Sequence, residues 1–294
     1  MTTGEINERH RISVFSMPGI LYIVATPIGN LEDITLRALR VLKEVDVVAA
    51  EDTRHTQILL SRHNIHTPLT SYHEHNEKTK AQELVTRLAR GQNVALVSDA
   101  GTPAISDPGF RLVVHAIRAG VRIIPIPGAS ALTAVLSASG LPTDRFVFEG
   151  FLPAKKSQRR ERLQTLRDES RTLIFYEAPH RLKEALDDIH ELLGNREAVL
   201  AREVSKIHEE FLRGPISALV RTLGGGEIRG EVTLIISGAS GLPGVSEDRL
   251  KAEILELKGK GLRVKEIAEV LGEKFGYPKK EIYRLALHGE KVSS

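Results

Sequence analysis

The sequence VALVSDAGTPAISDPG at residues 94–109 begins with four apolar residues and continues with small, polar and proline residues. An apolar run that ends in such residues is typical of a buried strand followed by a binding loop. Small side chains in the loop let a ligand approach the backbone closely. Near the end, Asp107 is suited to cap a helix and Pro108 to occupy its first position. The pattern therefore predicts a strand, a binding loop and a helix that starts near Asp107.

Two more loops of this kind lie in the first half of the chain. Residues 25–30 (ATPIGN) end the first predicted strand, and residues 127–131 (PGASA) end a later one. Between residues 19 and 140, strand-like and helix-like segments alternate, which favours a largely parallel sheet. Ligands of open α/β sheets bind outside the carboxyl ends of the strands. The loops at these strand ends therefore predict one shared crevice.

The pattern after residue 143 predicts a second α/β domain. We expect its last strand, at residues 230–237, to run antiparallel to its neighbours. Three short helices beyond the glycine-rich linker resemble a helix-turn-helix bundle, which either binds nucleic acid or serves as a packing unit. The predicted organisation is a flexible tail at 1–18, an N-terminal α/β domain at 19–143, a C-terminal α/β domain at 144–238 and a helical extension at 247–294.

Composition excludes several classes of protein. Hydrophobic residues make up 41% of the chain and charged residues 27%, as in soluble globular proteins. The absence of cysteine excludes disulfides, a thiol nucleophile and thiolate metal sites. The longest apolar runs, such as residues 232–236, are too short to span a membrane, and the first 18 residues lack the apolar core of a secretory signal. We therefore expect a cytoplasmic protein without a membrane partner.

Positive charge is concentrated in one segment. The formal net charge is only +3, but residues 155–171 hold seven lysines and arginines against three acidic residues. Two interpretations stay open, a solvated helix face and a contact with an RNA backbone. The candidate RNA contacts in this segment are Lys155, Lys156, Arg159 and Arg160.

Common catalytic signatures are missing. The sequence has no phosphate-binding G-x-x-x-x-G-K-[ST] loop, no dinucleotide-binding G-x-G-x-x-G after the first strand and no G-x-S-x-G nucleophile elbow. His73, Glu74 and His75 are adjacent, but a third spaced metal ligand is missing. We therefore predict no metal site, and we interpret His73 as a contact to a polar substrate.

Polar residues at strand ends are the remaining candidates for chemistry. At Glu51-Asp52-Thr53-Arg54, we expect one carboxylate to cap the next helix, while the other and Arg54 face substrate. Glu177 and Lys206 follow later strands, where they are candidates to accept a proton or polarise a hydroxyl. For Lys206, an ordinary ion pair with a nearby glutamate is the alternative.

Five segments together resemble the tetrapyrrole methylase superfamily, and more closely its branch that acts on ribosomal RNA. They occur in the family's order between residues 19 and 237: TPIGN at 26–30, EDTR at 51–54, SDAGTP at 98–103, PGASA at 127–131 and FYEAPHR at 175–181. Relatives that make tetrapyrroles usually carry Gly-Asp-Pro in the central loop. The Asp-Ala-Gly-Thr-Pro of this chain therefore favours the ribosomal branch.

The resemblance implies a class III S-adenosylmethionine-dependent methyltransferase of two α/β domains, with the cofactor bound between them. The implied reaction is 2'-O-methylation of a cytidine in the decoding region of 16S rRNA in the small ribosomal subunit, and the implied assembly is a homodimer. By motif, the implied cofactor contacts are Pro27, Asp99, Ala100, Gly101, Ser130, Ala131, Tyr176, Ala201 and Thr233. The family supplies no agreed catalytic base.

Three other functions compete with this one. A corrin-ring methyltransferase would share the fold, but we would expect it to lack the basic helix and the C-terminal helices. A ribosome-binding protein without catalysis would not need the small-residue loops. A phosphate-binding hydrolase would be favoured by helix N-termini alone, but its expected lysine, hydroxyl and metal-binding carboxylates are missing.

Overall fold

The computed structural model describes residues 17–224, 229–239, 247–275 and 279–288. The chain divides into two compact units, residues 1–131 and 132–294. The predicted tail lies outside the described residues except for residues 17 and 18, and most of the predicted linker lies outside them as well. Within the described ranges, no helix combines the length and the apolar character needed to cross a bilayer.

The first unit is built on a parallel five-stranded sheet. Its strand order is β3-β2-β4-β1-β5, and each neighbouring pair of strands is parallel. The strands are β1 (Ile20–Val24), β2 (Val47–Ala50), β3 (Leu69–Ser71), β4 (Val94–Val97) and β5 (Arg122–Ile126). The predicted parallel sheet is confirmed. Strand β4 is its centre, and all four of its residues are buried, as the apolar run at 94–97 predicts.

Helices cover both faces of this sheet. They are α1 (Leu36–Glu44), α2 (Thr53–Arg62), α3 (Glu77–Ala89) and α4 (Phe110–Arg118). Apolar residues of α1 and α2 pack on one face, around Leu42 and Leu60. Those of α3 and α4 pack on the other, around Leu84 and Leu112. Because helices lie on both faces, the carboxyl ends of the strands are where polar loops gather.

Helix α4 starts later than predicted, so the prediction that Asp107 caps it was wrong. The helix begins at Phe110, with Gly109 as its N-cap and no capping side chain. Ala104, Ser106 and Gly109 have φ angles of 69°, 63° and 150°, which a right-handed helix does not accommodate. An added Cβ at Gly109 would also approach two side chains at 3.0 Å. The loop therefore turns Asp107 away from the helix.

The second unit contains a mixed sheet of order β6-β7-β10-β8-β9. Its strands are β6 (Phe146–Phe151), β7 (Thr172–Glu177), β8 (Glu197–Arg202), β9 (Glu210–Pro215) and β10 (Val232–Ile236). Only the β6–β7 pair is parallel. The antiparallel last strand is therefore confirmed. Edge strand β9 was not predicted.

Helices pack on both faces of the second sheet too. They are α5 (Ala131–Ser139), α6 (Lys156–Thr165), α7 (Leu182–Leu193) and α8 (Ile216–Thr222). Helices α6, α7 and α8 pack on the larger core, around Phe175. Val135 and Leu136 of α5 pack against Ile174 and Ile235 on the opposite face. This contact groups nearly all of α5 with the second unit, although the sequence places the domain boundary after it.

Three helices follow the second sheet, as predicted: α9 (Glu247–Gly259), α10 (Val264–Phe275) and α11 (Lys279–His288). They share a small core of their own, which includes Leu250, Ile267, Leu271 and Ile282. The apolar faces of these helices are therefore used for packing against one another.

A buried ion pair joins α6 to α7. Arg159 Nε donates to Asp188 Oδ2 at 2.7 Å, and the two side chains are 1% and 4% exposed. Arg160 donates to the other Asp188 oxygen at 2.9 Å. A buried charge is tolerated only when it is paired and hydrogen-bonded, so Arg159 and Asp188 depend on each other.

We predict that Arg159→Met lowers the free energy of unfolding by about 3 kcal/mol, because it leaves Asp188 buried with a single cation. Denaturant unfolding monitored by circular dichroism measures the loss. Arg171→Met is the matched control, since Arg171 pairs with Glu169 at the surface, where solvent screens the ion pair and little stability should be lost. Equal losses in the two variants would contradict the prediction.

Candidate functional site

The loops after β1 and β4 are joined by backbone hydrogen bonds. Thr26 N–H donates to the Gly101 carbonyl at 2.9 Å, and Gly101 N–H donates to the Thr26 carbonyl at 3.1 Å. The Thr26 hydroxyl also donates to the Ser98 carbonyl at 3.1 Å. Gly101 has a φ of 82°, and an added Cβ would meet no atom closer than 3.6 Å. The two loops are therefore held together by their backbones, and a side chain at Gly101 would enter the space beside Ile28 and the Ala129 carbonyl.

Six of the implied cofactor contacts lie at this edge of the first unit. Strand β1 has β4 and β5 as its neighbours, so the loops that follow these three strands are adjacent. The six residues are Pro27, Asp99, Ala100, Gly101, Ser130 and Ala131. The strand order therefore brings together three segments that are far apart in the sequence, as the predicted crevice requires.

At the end of β2, Asp52 is the carboxylate that caps α2. Its Oδ1 accepts the Arg54 N–H at 2.8 Å, and its own N–H donates to Asp99 Oδ1 at 3.0 Å. Arg54 folds back onto Asp52, with Nη2 2.8 Å from Oδ2, and its side chain is 91% exposed. One of the two carboxylates, Asp52, therefore caps the helix as expected, and Glu51 is the carboxylate that is left for other contacts.

Carboxylates are concentrated at this edge. Burial, followed by the charge of Asp99, raises the pKa of Glu51 above its usual range. Burial also raises the pKa of Asp107 to about 6, with further contributions from Glu51 and Asp99, although a hydrogen bond with Ser98 opposes the shift. Asp107 therefore titrates closer to neutral pH than an ordinary aspartate. Its place in the site was missed because the sequence indicated a helix cap.

His73 lies just after β3 and is held by Asn76. The His73 N–H donates to Asn76 Oδ1 at 2.9 Å, and Asn76 Nδ2 lies 3.2 Å from His73 Nε2. The same Nδ2 donates to the Ser71 carbonyl at 3.3 Å. His73 Nδ1 is buried and has no hydrogen-bond partner. His73 also acts electrostatically on Glu51, so it belongs to the same edge of the sheet.

The described residues contain no group of three or more histidine, aspartate and glutamate side chains arranged to hold a metal ion. His75 packs its ring edge-on against that of His73, with 6.0 Å between the centroids.

In the second unit, the other implied cofactor contacts form a row across the sheet. Thr233 of β10 pairs with Tyr176 of β7 on one side and with Ala201 of β8 on the other. The Tyr176 hydroxyl accepts the Leu132 N–H at 3.2 Å. Thr233 and Ala201 are buried, and their small side chains add little volume to this row. The sequence gives no direct sign of this register, because the three residues come from three separate segments.

Glu177 and Lys206 are both engaged in ion pairs. Glu177 is buried, and its Oε1 accepts the Ala178 N–H at 2.8 Å and lies 2.6 Å from Arg181 Nη2. Lys206 Nζ donates to Glu203 Oε1 at 2.9 Å and to Glu231 Oε2 at 3.2 Å. The ion pair that the sequence left open for Lys206 is therefore present. The catalytic role of either residue stays a prediction.

The basic segment divides into paired and exposed side chains. Arg159 is buried on Asp188, and Arg160 reaches both Asp188 and Glu191. Lys155 and Lys156 are exposed at the start of α6 and have no ion pair among the described residues. We therefore restrict the proposed RNA contact to the two lysines, which the composition of the segment alone did not separate from the arginines.

Comparison with known proteins identifies the family. The family model for tetrapyrrole (corrin/porphyrin) methylases matches residues 20–220. A Synechocystis protein named ribosomal RNA small subunit methyltransferase I is 50% identical over 275 residues, which is 92% of this chain and 99% of that protein. A Pseudomonas aeruginosa protein of the same name is 50% identical over 281 residues, covering 94% of this chain and 99% of the relative.

Solved structures agree at the level of the fold. A uroporphyrin-III-C-methyltransferase from Thermus thermophilus superposes with a TM-score of 0.54 at 23% identity, over 74% of this chain and 94% of its own. At that identity, the likeness is evidence for the fold alone. Taken with the matched family model and the half-identical relatives, it shows that this chain belongs to the tetrapyrrole methylase family, in its branch of ribosomal RNA small subunit methyltransferases I.

Proposed function

We propose that the chain transfers a methyl group from S-adenosylmethionine to the ribose 2'-hydroxyl of a cytidine in 16S rRNA, that it acts on the small ribosomal subunit, and that it works in the cytoplasm as a homodimer. S-Adenosylmethionine is the methyl donor of the family, and the relatives are named for methylation of ribosomal RNA. The observation that carries the proposal is identity of 50% to such relatives over more than nine-tenths of the chain.

The residues of each unit fit the proposed cofactor. In the first unit, the loops of Thr26 and Gly101 are bridged backbone to backbone, and a bulky side chain at the buried Gly101 would enter the space beside Ile28 and the Ala129 carbonyl. In the second unit, Tyr176 offers an aromatic ring beside the small, buried Ala201 and Thr233. Each set is a candidate contact that can be tested separately.

Bound S-adenosylmethionine supplies a methyl group that its sulfonium sulfur has already activated. The task left to the protein is to hold the acceptor oxygen in line with the methyl group. Such alignment can lower the activation barrier substantially. The rigid ends of β1, β4 and β5 suit that task because they are anchored in a buried sheet. Closure around the reacting groups would also exclude water.

A ribose hydroxyl is a weak nucleophile until its proton is accepted. We keep Glu177 and Lys206 as the proposed groups for this step, with Lys206 stabilising a developing negative charge. Glu177 is paired with Arg181, and Lys206 is paired with Glu203 and Glu231. For either residue to act in this step, its partners must rearrange or share the proton. Glu51 and His73 are proposed substrate contacts at the edge of the first sheet, and Arg54 is proposed to hold a phosphate.

Gly101→Leu should abolish binding of S-adenosylmethionine, because the side chain would occupy the surface next to the central loop. Isothermal titration calorimetry on the folded variant measures the loss, which we expect to exceed tenfold. Gly120→Leu is the matched control, since Gly120 has a similar left-handed φ of 69° with open space around it. If both variants bind the cofactor with wild-type affinity, the cofactor contacts another surface.

Replacing Lys155 and Lys156 together by Gln should weaken RNA binding and flatten its dependence on salt. Each lost phosphate contact reduces the slope of log K against log salt by about 0.7 to 0.9. The measurement is RNA binding at several salt concentrations by fluorescence anisotropy. Arg171→Gln is the control, since Arg171 is already paired with Glu169. An unchanged slope in the double variant would make the two lysines a solvated surface.

Asp107→Asn should stabilise the protein at neutral pH more than in acid. With a pKa of about 6 against an ordinary value of 3.8, the folded state holds the proton more tightly than the unfolded state. The free energy of unfolding of the wild type therefore falls as pH rises from about 4 to about 6, and the asparagine variant lacks this loss. Thermal unfolding at both ends of the range, with exposed Asp187→Asn as the control, measures it. A constant difference in Tm would contradict the assignment.

A further inference from the structure

Strand β6 carries a bulge that redirects one aromatic side chain. Its register with β7 shifts between Phe148 and Gly150, so that Glu149 is an extra residue on β6, and Gly150 has a φ of 66°. Side chains alternate between the two faces of a regular strand, so without the bulge Phe148 and Phe151 would face opposite ways. The bulge instead brings both to Tyr176. The ring centroids of Phe148 and Phe151 lie 5.0 Å and 5.7 Å from that of Tyr176.

The bulge is fixed by a bidentate ion pair from α6. Arg162 Nε donates to Glu149 Oε2 at 2.6 Å, and Arg162 Nη2 donates to Glu149 Oε1 at 2.9 Å. The Glu149 side chain is only 6% exposed. Two parallel hydrogen bonds between planar groups fix orientation as well as distance. The position of Phe151 is therefore built into the fold.

Phe151 remains 54% exposed in spite of this support. Its ring packs against Tyr176 on one side, so part of its apolar surface is left to solvent. A large aromatic side chain held rigidly and left half-exposed is a typical feature of a binding surface. Tyr176 also belongs to the row with Thr233 and Ala201, so the ring stands at the end of that row.

Positive charge lies close to this ring along the chain. Lys155 and Lys156 follow Phe151 by four and five residues, and both are exposed at the start of α6. The arginines further along α6, Arg160 and Arg162, are instead paired with carboxylates. Proteins that recognise unpaired RNA combine aromatic rings, which stack on bases, with cations that contact the phosphates.

We propose that Phe151 stacks against a base of the RNA substrate, with Lys155 and Lys156 contacting phosphates next to that base. The inference rests on the proposed function, since it presumes an RNA substrate, and it adds a residue that positions this substrate. Arg162 acts through Glu149 as a positioning residue for the ring. The adenine of the cofactor and a second copy of the chain are the other possible occupants, and the test separates them.

The chain contains no tryptophan, so Phe151→Trp creates a protein whose single tryptophan lies where stacking is proposed. The probe is a short RNA that carries the decoding-region cytidine, and S-adenosylmethionine is titrated separately. We expect the RNA, but not the cofactor, to quench the tryptophan emission. Phe146→Trp is the matched control, because Phe146 is 41% exposed at the other end of β6 and should not respond.

Kinetics supply the second readout. Phe151→Leu should raise the KM for 30S subunits by on the order of tenfold, the range of base–aromatic stacking, while kcat, cofactor affinity and Tm change little. Phe151→Tyr should restore the wild-type KM. Arg162→Met should raise the same KM, since it releases the bulge, and Phe146→Leu should not.

Each contrary result is distinct. Quenching by the cofactor alone would place adenine on the ring, and a change in oligomeric state of Phe151→Leu by sedimentation would place a second copy there. No quenching by RNA that anisotropy shows to be bound, or an unchanged KM in Phe151→Leu, would also overturn the proposal. Wild-type protein that transfers no methyl group to 30S subunits would overturn the proposed function, and the RNA titration would still decide the role of Phe151.

Discussion

The parallel direction of the first sheet is the constraint on which the candidate site depends. Because β1, β2, β3, β4 and β5 all run the same way, every one of them ends at the same edge. Residues separated by seventy or more positions, such as Thr26 and Gly101, can therefore exchange backbone hydrogen bonds. The buried run at 94–97 fixes the centre of this arrangement, since apolar side chains on both faces of β4 require helices on both sides.

In the second sheet, the register of neighbouring strands brings the candidate site residues together. Its strands run in both directions, so its site residues meet side by side within the sheet instead of at a common edge. Tyr176, Thr233 and Ala201 are neighbours because β10 lies between β7 and β8. An irregularity in β6 then adds an aromatic ring to the end of the row. The candidate binding surfaces on the two sheets therefore have different origins, although both depend on rigid backbone.

The sequence predicts most of the fold because its strands are strongly apolar and its helices periodic. It misses β3 and β9, whose residues are half-buried at sheet edges and lack an apolar run. It predicts that α4 begins at Asp107 because Asp-Pro is a common helix start, but the φ angles of Ala104 and Ser106 prevent it. The sequence shows how many charged residues α6 carries, but it does not show which of them are buried. Arg159 is buried because it pairs with Asp188, which lies in another helix. Tertiary partners of this kind leave no local signal.

Asn76 has a chemical consequence for His73. The backbone N–H of His73 can donate only to the side-chain oxygen of Asn76. The group of Asn76 that faces the imidazole ring is therefore its NH2. A donor there requires a lone pair on Nε2, so the neutral imidazole carries its hydrogen on Nδ1. Moving that hydrogen to Nε2 would set two N–H groups against each other. The neighbouring amide therefore favours the tautomer with its hydrogen on Nδ1, an atom that is buried and has no hydrogen-bond partner among the described residues.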